Sequence, residues 1–243
     1  MSFELKYKPF GESAILIEWP SRIDKGILKN ITLFKDKIQQ KSTEYILEIK
    51  LSYNSLLVIY KFEIIDFKKK VKSLKNIYNS GFSEDEIISK TWYIPVCYDD
   101  SFGLDLEHMS KTKDISKSKI IEYHSKGLYT VYFIGFLPGF LYLGGLNEAL
   151  HYPRKSSPRL EIEKGAVAIG ESQTGIYPDV SPGGWNIIGN SPINFFDVSK
   201  TEPCFAKPGD FIKFFSVSIK KYNDIKTLVN AGVYELKSEV VYG

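Results

Sequence analysis

The chain has little cysteine: Cys97 and Cys204, with no C-x-x-C pair. That rules out a disulfide scaffold and fits unpaired thiols in a reducing cytoplasm. Histidine is as scarce, and His108, His124 and His151 are too scattered for a metal cluster, so no metal site is expected. There is no apolar run of 18 residues, and the start Met1-Ser2-Phe3-Glu4-Leu5-Lys6 lacks the apolar core of a signal peptide. Neither a membrane helix nor secretion is expected. Charge of one sign is not in excess either. The 32 basic and 29 acidic residues leave a net +3, which offers no concentrated basic face for nucleic acid. No G-x-x-x-x-G-K-[ST] loop, G-x-G-x-x-G turn or G-x-S-x-G elbow is present.

What is present is an ordinary globular composition. The 243 residues are 43% hydrophobic and 25% charged, enough for one large domain or two small ones with a real core. Aromatics at 14% favour sheet, because rings pack well on pleated surfaces. Two lysine clusters, Lys68 to Lys75 and Lys111 to Lys119, read as solvated helix faces.

Residues 1–85 read as a small α+β domain. Ser13 to Trp19 is an apolar strand, and Asp24 caps a helix with Ile27, Ile31, Phe34 and Ile38 at 3.6-residue spacing. Tyr45 to Lys61 reads as a hairpin turning at Ser52-Tyr53-Asn54-Ser55. A second amphipathic helix carries Phe67, Val71, Leu74 and Tyr78 and stops near Gly81. A boundary is expected between Asn79 and Lys90, around Ser83-Glu84-Asp85-Glu86. Residues 86–243 begin with the alternating strand Trp92, Ile94, Val96, then two short helices around 104–110 and 116–125. Beyond Tyr129, short strands such as 165–169, 185–188 and 211–215 alternate with Gly/Pro turns, which argues for a barrel or sandwich. A helix near 224–230 and a last strand close the chain.

The densest chemistry lies in Gly170-Glu171-Ser172-Gln173-Thr174-Gly175-Ile176-Tyr177-Pro178 and Ser181-Pro182-Gly183-Gly184-Trp185. Glycine at this density points to a close backbone approach or positive φ. Gln173, Thr174 and Ser181 are read as ligand contacts, whereas Trp185 is read as core. Phe136-Leu137-Pro138-Gly139-Phe140 reads equally as buried strand with a turn or as a pocket wall. Arg154 and Arg159 each follow a proline, and arginine on a stiff loop suits a carboxylate or phosphate, with a surface ion pair as the competitor. His124, near a helix C-terminus, reads as a satisfied structural histidine, and His151 as a loop residue.

Gly135-Phe136-Leu137-Pro138-Gly139-Phe140, Pro153-Arg154, Pro158-Arg159, Gln173-Thr174-Gly175-Ile176-Tyr177-Pro178, Ser181-Pro182-Gly183-Gly184-Trp185 and Ile188-Gly189 follow one another in this order. So do Gly11-Glu12-Ser13-Ala14, Ile94-Pro95-Val96-Cys97-Tyr98 and Lys207-Pro208-Gly209-Asp210. Together they resemble the family of 5-oxoprolinase B subunits, also described as KipI-like or allophanate hydrolase subunit 1. The resemblance implies an N-terminal α+β domain and a cyclophilin-like β-barrel domain of the carboxyltransferase C/D type. It implies a partner-dependent, ATP-using hydrolase that opens 5-oxoproline to L-glutamate with the A subunit and the KipA-like C subunit of 5-oxoprolinase. ATP then belongs to the complex, shared with a partner subunit, and this chain alone is inactive; a homodimer stays open. Substrate and anion contacts are expected from Arg154, Arg159, Gln173, Thr174, Tyr177, Ser181, Gly183 and Gly184, with Phe136, Pro138, Gly139 and Phe140 as pocket wall. The alternatives are a KipI-like module that inhibits a sensor histidine kinase, and a carboxyltransferase-type subunit of an allophanate or urea amidolyase-like enzyme. Two departures stand out: Glu171 replaces an expected glycine, and Asn190-Ser191-Pro192 replaces Arg-Thr-Pro. Both are expected to weaken anion binding by Coulomb's law.

Overall fold

The computed structural model describes residues 3–42, 44–82 and 88–242. Two compact units are present, Met1–Glu86 and Ile87–Gly243. The expected boundary at residues 85 and 86, with Ser83-Glu84-Asp85-Glu86, lies outside the described residues.

The first unit holds β1 (Lys6–Phe10), β2 (Ala14–Glu18), α1 (Lys25–Ser42), β3 (Ile46–Leu51), β4 (Ser55–Tyr60) and α2 (Phe67–Asn79). Its antiparallel sheet runs β1-β2-β4-β3. Asp24 starts α1 as its spacing suggested: Oδ1 accepts the N–H groups of Gly26 and Ile27 at 2.7 and 3.1 Å. Asp66 caps α2 in the same way through the Lys69 N–H. Ile27, Ile31, Phe34 and Ile38 are fully buried, and they share one core with Ile15, Ile17, Leu56 and Val58. The period of two along β4 brings Leu56, Val58 and Tyr60 to that face. Inside the core, Asn30 Oδ1 accepts from Trp19 Nε1 and from the Tyr78 hydroxyl, both at 2.8 Å. Strand β1 escaped the sequence reading, because the charged, proline-bearing KYKPF has no apolar alternation.

The second unit holds β5 (Ile88–Val96), α3 (Leu106–Lys113), α4 (Lys117–Lys126), β6 (Tyr129–Ile134) and β7 (Leu141–Gly144). It continues with β8 (Arg159–Ile162), β9 (Ala166–Gly170), β10 (Gln173–Ile176), β11 (Ser181–Gly183), β12 (Asn186–Asn190), β13 (Phe211–Ser216), α5 (Ile219–Asn230) and β14 (Ser238–Tyr242). Eight strands form one sheet in the order β12-β9-β10-β7-β6-β13-β5-β14, and β8 and β11 make a separate ribbon. Among the described residues, only β13 and β5 run parallel. Just past β5, Cys97 exchanges two backbone hydrogen bonds with Asn190 at the end of β12, at 2.8 and 2.9 Å. No longer ladder joins these two strands among the described residues. The architecture is mixed α and β with a dominant sheet, not a displayed closed barrel.

Asp210 ties the Lys207-Pro208-Gly209-Asp210 segment to the sheet. It is 1% exposed and accepts from the N–H of Lys90, Trp92 Nε1 and the N–H of Lys207, at 2.9 to 3.1 Å. Lys207-Pro208-Gly209-Asp210 is therefore a turn locked to β5.

Candidate functional site

Five aromatic rings gather beside the sheet of the second unit. Phe140, just before β7, lies at the centre, with ring centroids 4.6 Å from Tyr142, 5.0 Å from Tyr177, and 5.6 Å from both Phe136 and Trp185. Most of these contacts are edge-to-face, the arrangement the ring quadrupoles favour. Phe140, Tyr177 and Trp185 are buried, whereas Phe136 is 57% exposed at the rim. Phe136 also holds φ at +70°, a left-handed conformation that costs a non-glycine residue on the order of 1 kcal/mol. The turn that follows needs Gly139 at φ +85°, because a Cβ there would meet Phe196 Cβ at 2.7 Å.

Arg154 supplies the charge. Its guanidinium carbon stands 5.7 Å from the Trp185 ring centroid, and the side chain faces solvent. Burial raises the pKa of Tyr142 and Tyr177, and the Arg154 charge opposes that rise at both. Arg154 thus acts on three of the rings. Among the described residues it has no carboxylate partner.

Arg159 is engaged differently. Both terminal nitrogens donate to Asp105, Nη1 to Oδ2 and Nη2 to Oδ1, each at 2.8 Å. Asp105 is 3% exposed and also accepts from Lys155 Nζ at 3.0 Å and the Ile187 N–H at 2.7 Å. Burial would raise its pKa, but the hydrogen bonds from Arg159, Ile187 and Lys155 outweigh that and hold it below the usual carboxylate value. The surface ion-pair alternative for Arg159 is therefore met by a buried acid that sequence reading missed. Arg159 also borders a cleft of about 210 Å³, whose rim carries Glu161 and Glu163 and so does not favour an anion.

Strand alternation separates Gln173 from Thr174. Gln173 is half-buried at the start of β10, while Thr174 points into the core at 0% exposure. Its hydroxyl donates to the Ala168 carbonyl at 2.9 Å and meets His124 Nε2 at 2.9 Å. Thr174 is not brought to the aromatic cluster. Ser181 is buried in β11, and its hydroxyl has no hydrogen-bond partner among the described residues. Gly183 leaves room for the Tyr177 hydroxyl, since a Cβ there would lie 2.3 Å from it. The Gly184 carbonyl accepts the Lys155 N–H at 2.8 Å, and Pro138 is exposed on the Phe136 turn.

The glycines of the central run serve the indole. A Cβ on Gly170 would approach the Trp185 ring to 2.6 Å, and one on Gly175 would approach it to 2.9 Å. The loop expected around Glu171 is a two-residue hairpin between β9 and β10. Glu171 holds φ at +56°, a value glycine adopts without cost, which explains the glycine in the resemblance. Its side chain is exposed, and its backbone pairs with Tyr152. Asn190, the second departure, is buried: Nδ2 donates to the Lys164 carbonyl and Oδ1 accepts from the Tyr222 hydroxyl, both at 3.0 Å. It is a sheet-end tie and holds no charge. No group of His, Cys, Asp and Glu able to hold a metal ion occurs among the described residues. No helix among them is long and apolar enough to cross a membrane.

Comparison with known proteins shows the family and the fold. The 5-oxoprolinase B subunit of Bacillus subtilis (strain 168) is 33% identical over 241 residues, which cover 93% of this chain and 98% of that one. The protein of the same name from Haemophilus influenzae is 37% identical over 212 residues, 87% of this chain and 98% of the relative. In fold alone, the chain aligns over its whole length with the urea carboxylase of Kluyveromyces lactis, at a TM-score of 0.84 and 20% identity, spanning 24% of that longer chain. The family described as carboxyltransferase domain, subdomain C and D, matches residues 5–206. The chain belongs to that carboxyltransferase C and D family, among relatives named as the B subunit of 5-oxoprolinase.

Proposed function

We propose that this protein is the B subunit of a cytoplasmic, ATP-dependent 5-oxoprolinase. It would open 5-oxoproline to L-glutamate together with the A subunit and the KipA-like C subunit. The observation that supports this most is Arg154 set over Trp185 at the edge of the aromatic cluster. 5-Oxoproline is a small, nearly flat lactam ring bearing one carboxylate. The ring lies against the aromatic rim at Phe136 and Tyr142, and the carboxylate turns to the one cation left without a carboxylate partner there among the described residues. Gln173 and the Gly183-Gly184 backbone orient the ring's amide.

The lactam resists water until its oxygen is phosphorylated, which is the chemistry ATP supplies. The residues here do not fit a triphosphate: Asp105 holds both Arg159 and Lys155, leaving Arg154 as the loop cation with no carboxylate partner. Nucleotide binding falls to a partner, and this chain by itself is inactive. The barrel implied for residues 86–243 belongs to the same reading, supported by the Cys97–Asn190 bridge between distant strands.

A second reading, a carboxyltransferase-type subunit for a urea-derived substrate, draws support from the fold shared with urea carboxylase. The exposed ring of Phe136 beside Pro138 favours a third, a module that docks on a histidine kinase.

Co-expression with the A and C subunits, followed by glutamate release from 5-oxoproline, tests the leading reading. Turnover is expected only when all three are present. A complete complex that leaves 5-oxoproline intact, while this chain binds a kinase, would reject it.

A further inference from the structure

Arg154 is held by its neighbours and not by its own side chain. On one side, Asn186 Nδ2 donates to the Pro153 carbonyl at 2.8 Å. On the other, the Lys155 N–H donates to the Gly184 carbonyl at 2.8 Å, and Lys155 Nζ reaches Asp105 at 3.0 Å. Gly184 and Asn186 flank Trp185, the ring beneath Arg154. The same Asp105 grips the strand beyond that ring: its N–H donates to the Ile187 carbonyl at 2.9 Å, and its carboxylate accepts the Ile187 N–H at 2.7 Å. It then clamps Arg159 at the far end of the loop through two bonds of 2.8 Å.

Asp105 also stands at the N-cap position of α3, yet its side chain makes no cap hydrogen bond. A cap at this place is ordinarily worth about 1 kcal/mol to a helix. Here every carboxylate bond goes instead to loop 153–159 and to β12. That diversion is the signature of a group placed to fix something other than its own helix.

We propose that Asp105 is a positioning residue for substrate binding. It locks loop 153–159 to the strand that follows Trp185, and so sets Arg154 over the aromatic rim. It also pairs with both other cations of the loop, Lys155 and Arg159, which leaves Arg154 as the loop cation without a carboxylate partner to meet a monoanionic ligand. The ligand class is a small carboxylate with a flat ring, so the proposal rests on the 5-oxoproline reading of the site.

The test uses Asp105→Asn in the complete three-subunit complex, with glutamate release measured against 5-oxoproline concentration. The expected result is a KM raised by about 10-fold or more with kcat within about 2-fold, because a binding group is misplaced while the chemistry is left alone. Asp105→Asn leaves two cations short of a partner and can lower stability. The double variant Asp105→Asn/Arg159→Gln removes one of those charges and should show the same KM rise. A readout independent of turnover is tryptophan emission. The change caused by Asp105→Asn should reproduce that of Arg154→Ala and vanish in a Trp185→Phe background. If the variants lose thermal stability but keep the wild-type KM and the Trp185 emission, Asp105 is merely structural and the proposal is overturned. If the wild-type complex does not turn over 5-oxoproline, the emission arm still decides the positioning role, and only the substrate reading falls.

Discussion

His124 Nε2 donates to Thr174 Oγ1 at 2.9 Å, and the direction follows from the partners. The Thr174 hydroxyl has one proton, which it gives to the Ala168 carbonyl, so it can only accept from the imidazole. Nδ1 is then the acceptor, and the Tyr98 hydroxyl donates to it at 2.7 Å. The imidazole stacks on Phe214 with a centroid separation of 4.6 Å and is fully buried.

This neutral histidine makes stability depend on pH. Burial lowers its pKa from 6.5 to about 3. The unfolded chain gains the proton first as pH falls, so His124's contribution is complete above pH 6.5 and is lost progressively from there towards pH 3. The slope reaches about 1.4 kcal/mol per pH unit within that window. Urea midpoints measured across it should fall in the wild type and fall less steeply in His124→Gln. Equal slopes would show that His124 does not carry the effect.

Arg154→Ala removes an exposed cation that packs on Trp185 from outside the core. Its cost to stability should stay below about 1 kcal/mol, the range of an exposed cation–π pair. In the reconstituted complex, KM for 5-oxoproline should rise on the order of 10- to 100-fold, with partial recovery in Arg154→Lys. An unchanged KM removes Arg154 from the site.

Phe136→Ala and Phe136→Gly lose the same ring and differ only in tolerance of φ +70°. The glycine variant should therefore be more stable than the alanine variant by about 1 kcal/mol in chemical denaturation. Both should weaken ligand or partner binding at the rim. The reverse order of stability would mean that the strain at Phe136 is absent in solution.

Gly170→Ala would push a methyl group into the Trp185 ring, where 2.6 Å is all the room there is. The backbone there belongs to β9 and cannot retreat, so the ring must move. A loss of about 1–3 kcal/mol is expected, as for other overpacked sites, together with a shift in Trp185 emission. Wild-type stability and emission would contradict the close packing of strand and indole.

Much of the fold was legible because it depends on local periodicity. The Asp24 cap, the Ile27-Ile31-Phe34-Ile38 stripe and the alternation of Leu56, Val58 and Tyr60 all state their partners' direction in the sequence. The charged strand β1 and the short ribbon of β8 and β11 did not, since they are held by their neighbours and have no apolar pattern of their own. A strand following Gly170 places Gln173 and Thr174 on opposite faces, and only one of them can meet a ligand on a given side.

Asp105 left no such trace. In the sequence it is an ordinary acid before a helix, 54 residues from Arg159. What the chain alone determined is which residues form strands and helices, where the turns fall, and that aromatics, arginines and glycines cluster in its second half. What only the tertiary structure decided is which of the loop's cations keeps no carboxylate partner. Burial removes Asp105 from water, and a desolvated carboxylate takes whatever donors the fold brings to it. The fold brings Lys155, Arg159 and the Ile187 N–H, and leaves Arg154 over Trp185.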